Sequence, residues 1–105
     1  VFQPHRYSRL SALFEEFSKS FEVPDVIVIT EVYSAGENPI ENISGEKLAE
    51  RIKQDGKNVY YVPSLEEAEN LLKSIVQKGD VILTLGAGNI TQLSDIMAKY
   101  LSREK

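Results

Sequence analysis

The run Val26-Ile27-Val28-Ile29-Thr30 is β-branched and apolar with no polar alternation, the pattern of a strand covered on both faces and hence of a parallel sheet. Everything around it is arranged to supply that cover. Leu10, Leu13, Phe14, Phe17 and Phe21 recur at spacings of three and four, with Glu15, Glu16 and Lys19 opposite, which predicts an amphipathic helix. Leu48, Ala49 and Ile52 mark a short helix ending near Gly56, and Val59 to Val62 reads as the next strand. Ser64 with Glu67 three residues on is a capping box opening a helix through Leu65, Ala68, Leu71, Leu72, Ile75 and Val76. Val81 to Leu85 is expected as a further complete strand, and Ile90, Leu93, Ile96, Met97, Tyr100 and Leu101 as the last helix. The order (β)αβαβαβα predicts an α/β fold: a doubly wound, Rossmann-like, mostly parallel sheet with helices on both faces. Its first strand is reduced to Val1-Phe2-Gln3 before Pro4, so the chain is expected to be an N-terminally truncated piece of a longer protein.

Composition narrows the function classes. A length of 105 residues provides for one core. A net charge of −4 removes the broad attraction that nonspecific nucleic-acid or anionic-membrane binding requires, so neither partner is expected. Without cysteine there is no disulfide framework, thiolate metal site or cysteine nucleophile, which fits the cytoplasm. No run approaches the roughly 18 apolar residues of a membrane span. No metal site is expected.

In open α/β sheets ligands bind beyond the carboxyl ends of the strands, which directs attention to three loops. Gln3-Pro4-His5-Arg6-Tyr7-Ser8-Arg9 holds the one histidine and two of the four arginines, with no acid before Glu15. Cations at a helix start oppose the macrodipole, whereas an anionic ligand bound by arginine forks would reverse that cost. A solvated basic loop paired with acidic neighbours explains the charges about as well. The loop Glu31 to Glu37 contains Tyr33, able to stack or donate to a ligand, Gly36, and two carboxylates able to hold an amine or an arginine; an ordinary surface loop with a turn glycine is the simpler account. Gly86-Ala87-Gly88-Asn89-Ile90-Thr91 is an incomplete dinucleotide fingerprint: Thr91 stands where the third glycine belongs, and only 14 residues follow it. Close approach of backbone to a neighbouring loop or ligand accounts for Gly86 and Gly88 equally well. A phospho-acceptor site fails because no aspartates stand at the strand ends, and a hydrolase triad because there is no Gly-x-Ser-x-Gly elbow.

Taken together, Phe2 to Arg9, Val32-Tyr33-Ser34-Ala35-Gly36-Glu37 and Thr84-Leu85-Gly86-Ala87-Gly88 resemble, in order and over essentially all 105 residues, the C-terminal domain of the Mur ligases. Within that family the first motif resembles the branch that adds L-alanine. The resemblance implies that residues 1–105 are the amino-acid-presenting domain of a three-domain cytoplasmic enzyme of peptidoglycan precursor synthesis. The two other domains, absent here, would hold UDP-N-acetylmuramate and ATP with Mg2+. It implies ATP-dependent activation of the muramate carboxylate as an acyl phosphate, attack by the alanine amine, and collapse of a tetrahedral intermediate to amide and phosphate. His5, Arg6 and Arg9 match positions gripping the alanine carboxylate and facing the phosphate side of the intermediate. Tyr33, Gly36, Glu37, Gly86 and Gly88 are implied as active-site lining, and neither arginine is expected to transfer a proton. Glu31 and Ser34 depart from the aspartate and proline common in the family, and the strand, loop and helix that normally open its domain are missing. With no Gly-x-x-x-x-Gly-Lys-Ser/Thr loop, the isolated chain is expected to be inactive. The competing reading is a non-catalytic anion- or nucleotide-binding module.

Overall fold

The order of elements in the computed structural model, which describes residues 1–86 and 88–103, is α1 (Tyr7–Ala12), α2 (Phe14–Ser18), β1 (Ile27–Thr30), α3 (Gly45–Gln54), β2 (Val59–Val62), α4 (Leu65–Ile75) and α5 (Thr91–Arg103). Strands β1 and β2 pair in parallel with Ile27 opposite Val59 and Thr30 opposite Val62. The fold class is thus the α/β class that the unalternating run requires. All four residues of β1 are buried.

Val1 to Gln3 continues this parallel arrangement on the other side of β1. Phe2 N–H donates to Val28 (2.8 Å), Thr30 N–H donates to Phe2 (3.1 Å), and on its far side Gln3 N–H donates to Leu85 (2.9 Å) and Leu85 N–H to Val1 (2.8 Å). Spatially the backbone therefore runs β2, β1, residues 1–3, residues 83–85.

Alternate β1 side chains divide the core in two. Ile27 and Ile29 face Leu10, Phe21, Leu48, Ala49 and Ile52, whereas Val28 faces Ala68, Leu72, Leu93 and Met97. The first three helices therefore cover one face and the last two the other, as the alternation of strand and helix demands. Helix α3 is capped by the preceding Ser44, whose hydroxyl accepts Lys47 N–H (3.0 Å). The capping box is present at α4: Ser64 Oγ accepts Glu67 N–H (3.2 Å). Ser64→Ala is expected to lower stability by about 1 kcal/mol, read as a shift in denaturant midpoint at unchanged slope.

Two expectations need correction. The helix from Leu10 to Phe21 is broken at Leu13, whose φ of −118° and ψ of 20° end α1 and start α2. The break turns the second segment so that Phe17 and Phe21 close over Phe2, with ring centroids 5.3 and 5.6 Å apart; apolar spacing alone is satisfied by a straight or a bent helix. Residues Val81 to Leu85 form no regular strand and make one isolated bridge, Phe2 to Leu85. Val81 is 92% and Leu83 63% exposed, so alternate side chains of this run are uncovered, and its described backbone bonds go only to Val1 and Gln3. Among the described residues no helix is long and apolar enough to cross a membrane.

Candidate functional site

The loops that follow Gln3 and Thr30 are bound to one another along their backbones. Tyr33 N–H donates to Pro4 (2.8 Å), Arg6 N–H donates to Tyr33 (2.8 Å), and the His5 ring stacks on the Tyr33 ring at 5.7 Å and 12°. Arg6 sits at φ +65°, a region that non-glycine residues adopt only where surrounding bonds hold them there and that is concentrated at ligand-binding positions. The holding bonds are its own N–H to Tyr33 and its carbonyl, which accepts Leu10 N–H (3.1 Å).

Farther along, Ser34 to Glu37 is a tight turn with Ala35 at φ +52° and Gly36 at φ +89°, closed by Glu37 N–H on Ser34 (3.1 Å). Positive φ at both central positions is what calls for glycine here. No atom lies within 4 Å of where a Gly36 Cβ would stand. The turn aims Glu37 at α1: its Oε1 accepts Ser8 N–H (3.2 Å) and its Oε2 accepts the Ser8 hydroxyl (2.6 Å). Those Ser8 bonds, with the Tyr7 N–H and the charge of Arg6, hold the Glu37 carboxyl below the ordinary glutamate value. A carboxyl depressed in the folded state stabilises above its unfolded pKa and loses that contribution as pH falls through its folded pKa. The amide resonance of Ser8 is therefore expected to titrate with a midpoint below 4.5, the ordinary value; a midpoint at or above it would show the contact absent in solution.

The third loop closes on the other two. A Cβ on Gly88 would stand 2.6 Å from Tyr33 Cγ and 2.9 Å from Gln3 Oε1, and one on Gly86 would stand 3.0 Å from the Gln3 carbonyl oxygen. Both glycines thus permit close approach of the loops, and the Tyr33 ring lies where a phosphate cradled against Gly88 would need room. Ala87, the middle of this motif, lies outside the described residues.

His5 and Arg9 line a cavity of about 150 Å³ together with Phe2, Gln3, Phe17 and Gly86. Its apolar wall comes from the two phenylalanines and its charge from the loop. Helix α1 is only six residues long, so any anion here would be held chiefly by side chains and little by a helix dipole. Among the described residues neither His5, Arg6 nor Arg9 forms an ion pair, whereas Arg51 pairs with both Asp55 (2.9 Å) and Glu15 (3.4 Å). The acid nearest this loop is Glu37, which bonds Ser8 and feels the charge of Arg6 without forming an ion pair with it.

The structure accordingly brings His5 and Arg9 into one cavity with Gly86, sets Tyr33 on His5 and Gly88 under Tyr33, and ties Glu37 to Ser8. It leaves Arg6 exposed and Gly36 in open solvent. Sequence reasoning overlooked Gln3, which is buried with Nε2 donating to Asn89 Oδ1 (2.9 Å) and Oε1 unpartnered; a polar residue closing an apolar strand was the available signal. It overlooked Ser8 as the partner of Glu37; Glu31, read as able to hold an amine or an arginine, instead accepts backbone donors and the Tyr61 hydroxyl, with no arginine among its partners in the described residues. Among the described residues no three His, Asp or Glu side chains converge as a cation site, and with no P-loop in the sequence the residues present do not fit ATP with Mg2+.

The family model described as "Mur ligase, glutamate ligase domain" matches residues 1–88. The chain is 75% identical over its full length to a UDP-N-acetylmuramate–L-alanine ligase of Sulfurihydrogenibium sp. (strain YO3AOP1), covering 23% of that protein. It is 50% identical to the ligase of the same name from Persephonella marina, covering 100% of this chain and 23% of that one, and 48% identical to that of Geotalea uraniireducens over 96% and 22%. The chain spans less than a quarter of the length of these relatives. It belongs to the Mur ligase family, matching the family's glutamate ligase domain over most of its length.

Proposed function

We propose that residues 1–105 are the amino-acid-presenting domain of a ligase that joins L-alanine to the carboxylate of UDP-N-acetylmuramate at the expense of ATP, in the cytoplasmic synthesis of peptidoglycan precursor. The single observation that carries this reading is the cationic set His5, Arg6 and Arg9, which forms no ion pair among the described residues and two of whose members line one small cavity at the carboxyl end of the sheet. The names borne by the relatives support the substrate.

In this reading the chain's own work is binding and orientation. The guanidinium of Arg9 and the His5 ring receive the α-carboxylate of alanine, which leaves its amine free to attack an acyl group presented from outside the domain. Arg6, exposed beside them, faces the negative charge that develops as that acyl group is attacked. Arginine remains protonated throughout, so both arginines act by position and charge. Tyr33 supports the His5 ring, and Glu37 fixes the start of α1 through Ser8. ATP and Mg2+, for which these residues offer no site, would be held by the remainder of the full-length protein, together with the UDP-sugar.

The test is phosphate release by the full-length protein with ATP, Mg2+ and UDP-N-acetylmuramate, with and without L-alanine. Release that depends on alanine and matches amide formation one for one is the expected result. Release indifferent to alanine would favour the anion-binding module instead.

A further inference from the structure

Glu31 follows β1 directly and is the point at which four parts of the fold meet. Its Oε1 accepts Val32 N–H (2.8 Å) and Gly45 N–H (2.8 Å), and its Oε2 accepts the Tyr61 hydroxyl (2.7 Å). One carboxylate thus joins the end of β1, the root of the loop from Val32 to Glu37, the first residue of α3 and a residue of β2. Helix α3 already has an ordinary side-chain cap in Ser44, so capping alone does not require a carboxylate at position 31. Burial and the neighbouring Glu31 push the Tyr61 hydroxyl well above the ordinary tyrosine range. It therefore stays a neutral donor to the Glu31 side chain.

The fixed root leads straight to the candidate site. Val32 N–H belongs to the peptide group between Glu31 and Val32, and Val32 is bonded to Tyr33, whose N–H and carbonyl hold Pro4 and Arg6 and whose ring carries His5. Between the Glu31 carboxylate and the unusual backbone of Arg6 lie only two residues and two hydrogen bonds. Displacement of a binding group by about 1 Å is enough to cost on the order of 100-fold in rate, so the placement of this loop root matters to the grip.

We propose that Glu31 is a positioning residue for the carboxylate-binding loop: its side chain fixes the root of the Val32–Glu37 loop, and through Tyr33 sets where His5 and Arg6 stand. The inference rests on the reading of that loop as the site for an amino acid's α-carboxylate.

The experiment measures kcat and KM for L-alanine and for ATP in the full-length protein and in its Glu31→Ala, Glu31→Gln and Tyr61→Phe variants, alongside thermal melting. Glu31→Ala is expected to lower kcat/KM for alanine by about 10-fold or more while KM for ATP moves less than about twofold. Glu31→Gln keeps a carbonyl oxygen for Val32 and Gly45 and is expected to recover to within about threefold of the parent. Tyr61→Phe, which removes one partner of Oε2, is expected to fall between. A lowered melting temperature in Glu31→Ala with unchanged alanine kinetics would make the residue structural only and overturn the proposal. Equal losses for alanine and ATP would overturn it as well. If Glu31→Ala does not fold, Tyr61→Phe decides: a selective alanine defect supports positioning, and parental kinetics overturn it. Phosphate release by the parent protein without dependence on alanine would instead refute the reading of the site, a result distinguishable from parental behaviour of the variants.

Discussion

Replacing Arg9 with alanine in the full-length protein is expected to lower kcat/KM for L-alanine by about 100-fold and to leave KM for ATP nearly unchanged. Arg9 lines the cavity with His5 and has no carboxylate partner among the described residues. Its charge is therefore available to a ligand. Hydrogen bonds to charged groups contribute roughly 1.5–3 kcal/mol, and each 1.4 kcal/mol is a factor of ten, so loss of a two-pronged grip reaches this range. Arg9→Lys should restore only part of the loss, since an ammonium supplies the charge without the planar fork. Arg6→Ala is expected to slow turnover more than it raises the alanine requirement, because Arg6 stands exposed beside the cavity and does not line it. Steady-state kinetics with each substrate varied in turn separates these outcomes. A matching loss of ATP affinity in Arg9→Ala would contradict the placement of the amino acid on this domain.

A second large effect is expected in the frame of the site. Gly45 opens α3 directly against the end of β1, and a Cβ there would collide with the Thr30 carbonyl oxygen and stand 3.0 Å from its carbonyl carbon. The obstacle is backbone in a fully buried strand, so no flexible side chain can give way. Gly45→Ala must push α3 off the strand, which also stretches the Glu31 bond to Gly45 N–H and uncovers Leu48 and Ile52, both fully buried. Overpacking of this kind costs about 3 kcal/mol, which for a domain of this size lowers the melting midpoint by roughly 12 °C or more. Gly36→Ala serves as the control. It meets the positive φ of the turn but no neighbouring atom, and about 1 kcal/mol is the expected cost. Calorimetry of the two variants should rank them in that order; equal midpoints would mean that α3 does not abut β1 as described.

Much of the fold was legible because its elements obey local rules. The unalternating run announced β1, the Ser64-x-x-Glu67 pattern announced α4, and apolar periodicity announced α3 and α5. The errors arose where a local pattern serves two arrangements. Leu10 to Phe21 has helical spacing whether or not Leu13 bends, and Phe2, on which Phe17 and Phe21 pack, lies outside the helix. Val81 to Leu85 has the composition of a covered strand, yet cover depends on what lies alongside, which composition does not record. The same holds in the site. The charges of His5, Arg6 and Arg9 were visible as an anomaly in the sequence, whereas the inward orientation of Glu31 and the Glu37 bond to Ser8 depend on where backbone N–H groups point. Close approach was one of two readings the sequence left open for Gly88, and only the fold identifies Tyr33 as what approaches it.

The central claim, that the loop from His5 to Arg9 receives an amino acid's carboxylate, is tested most directly by comparing L-alanine with L-alaninamide as acceptors in the full-length protein and in Arg9→Ala. Alaninamide keeps the amine and methyl group and lacks only the charge that Arg9 is proposed to hold. The account predicts that the parent protein prefers alanine by about 100-fold in kcat/KM and that this preference collapses to less than about tenfold in the variant, the non-additive signature of two groups in contact. Should Arg9→Ala weaken both acceptors by the same factor, leaving the preference intact, the carboxylate is held elsewhere and the claim fails.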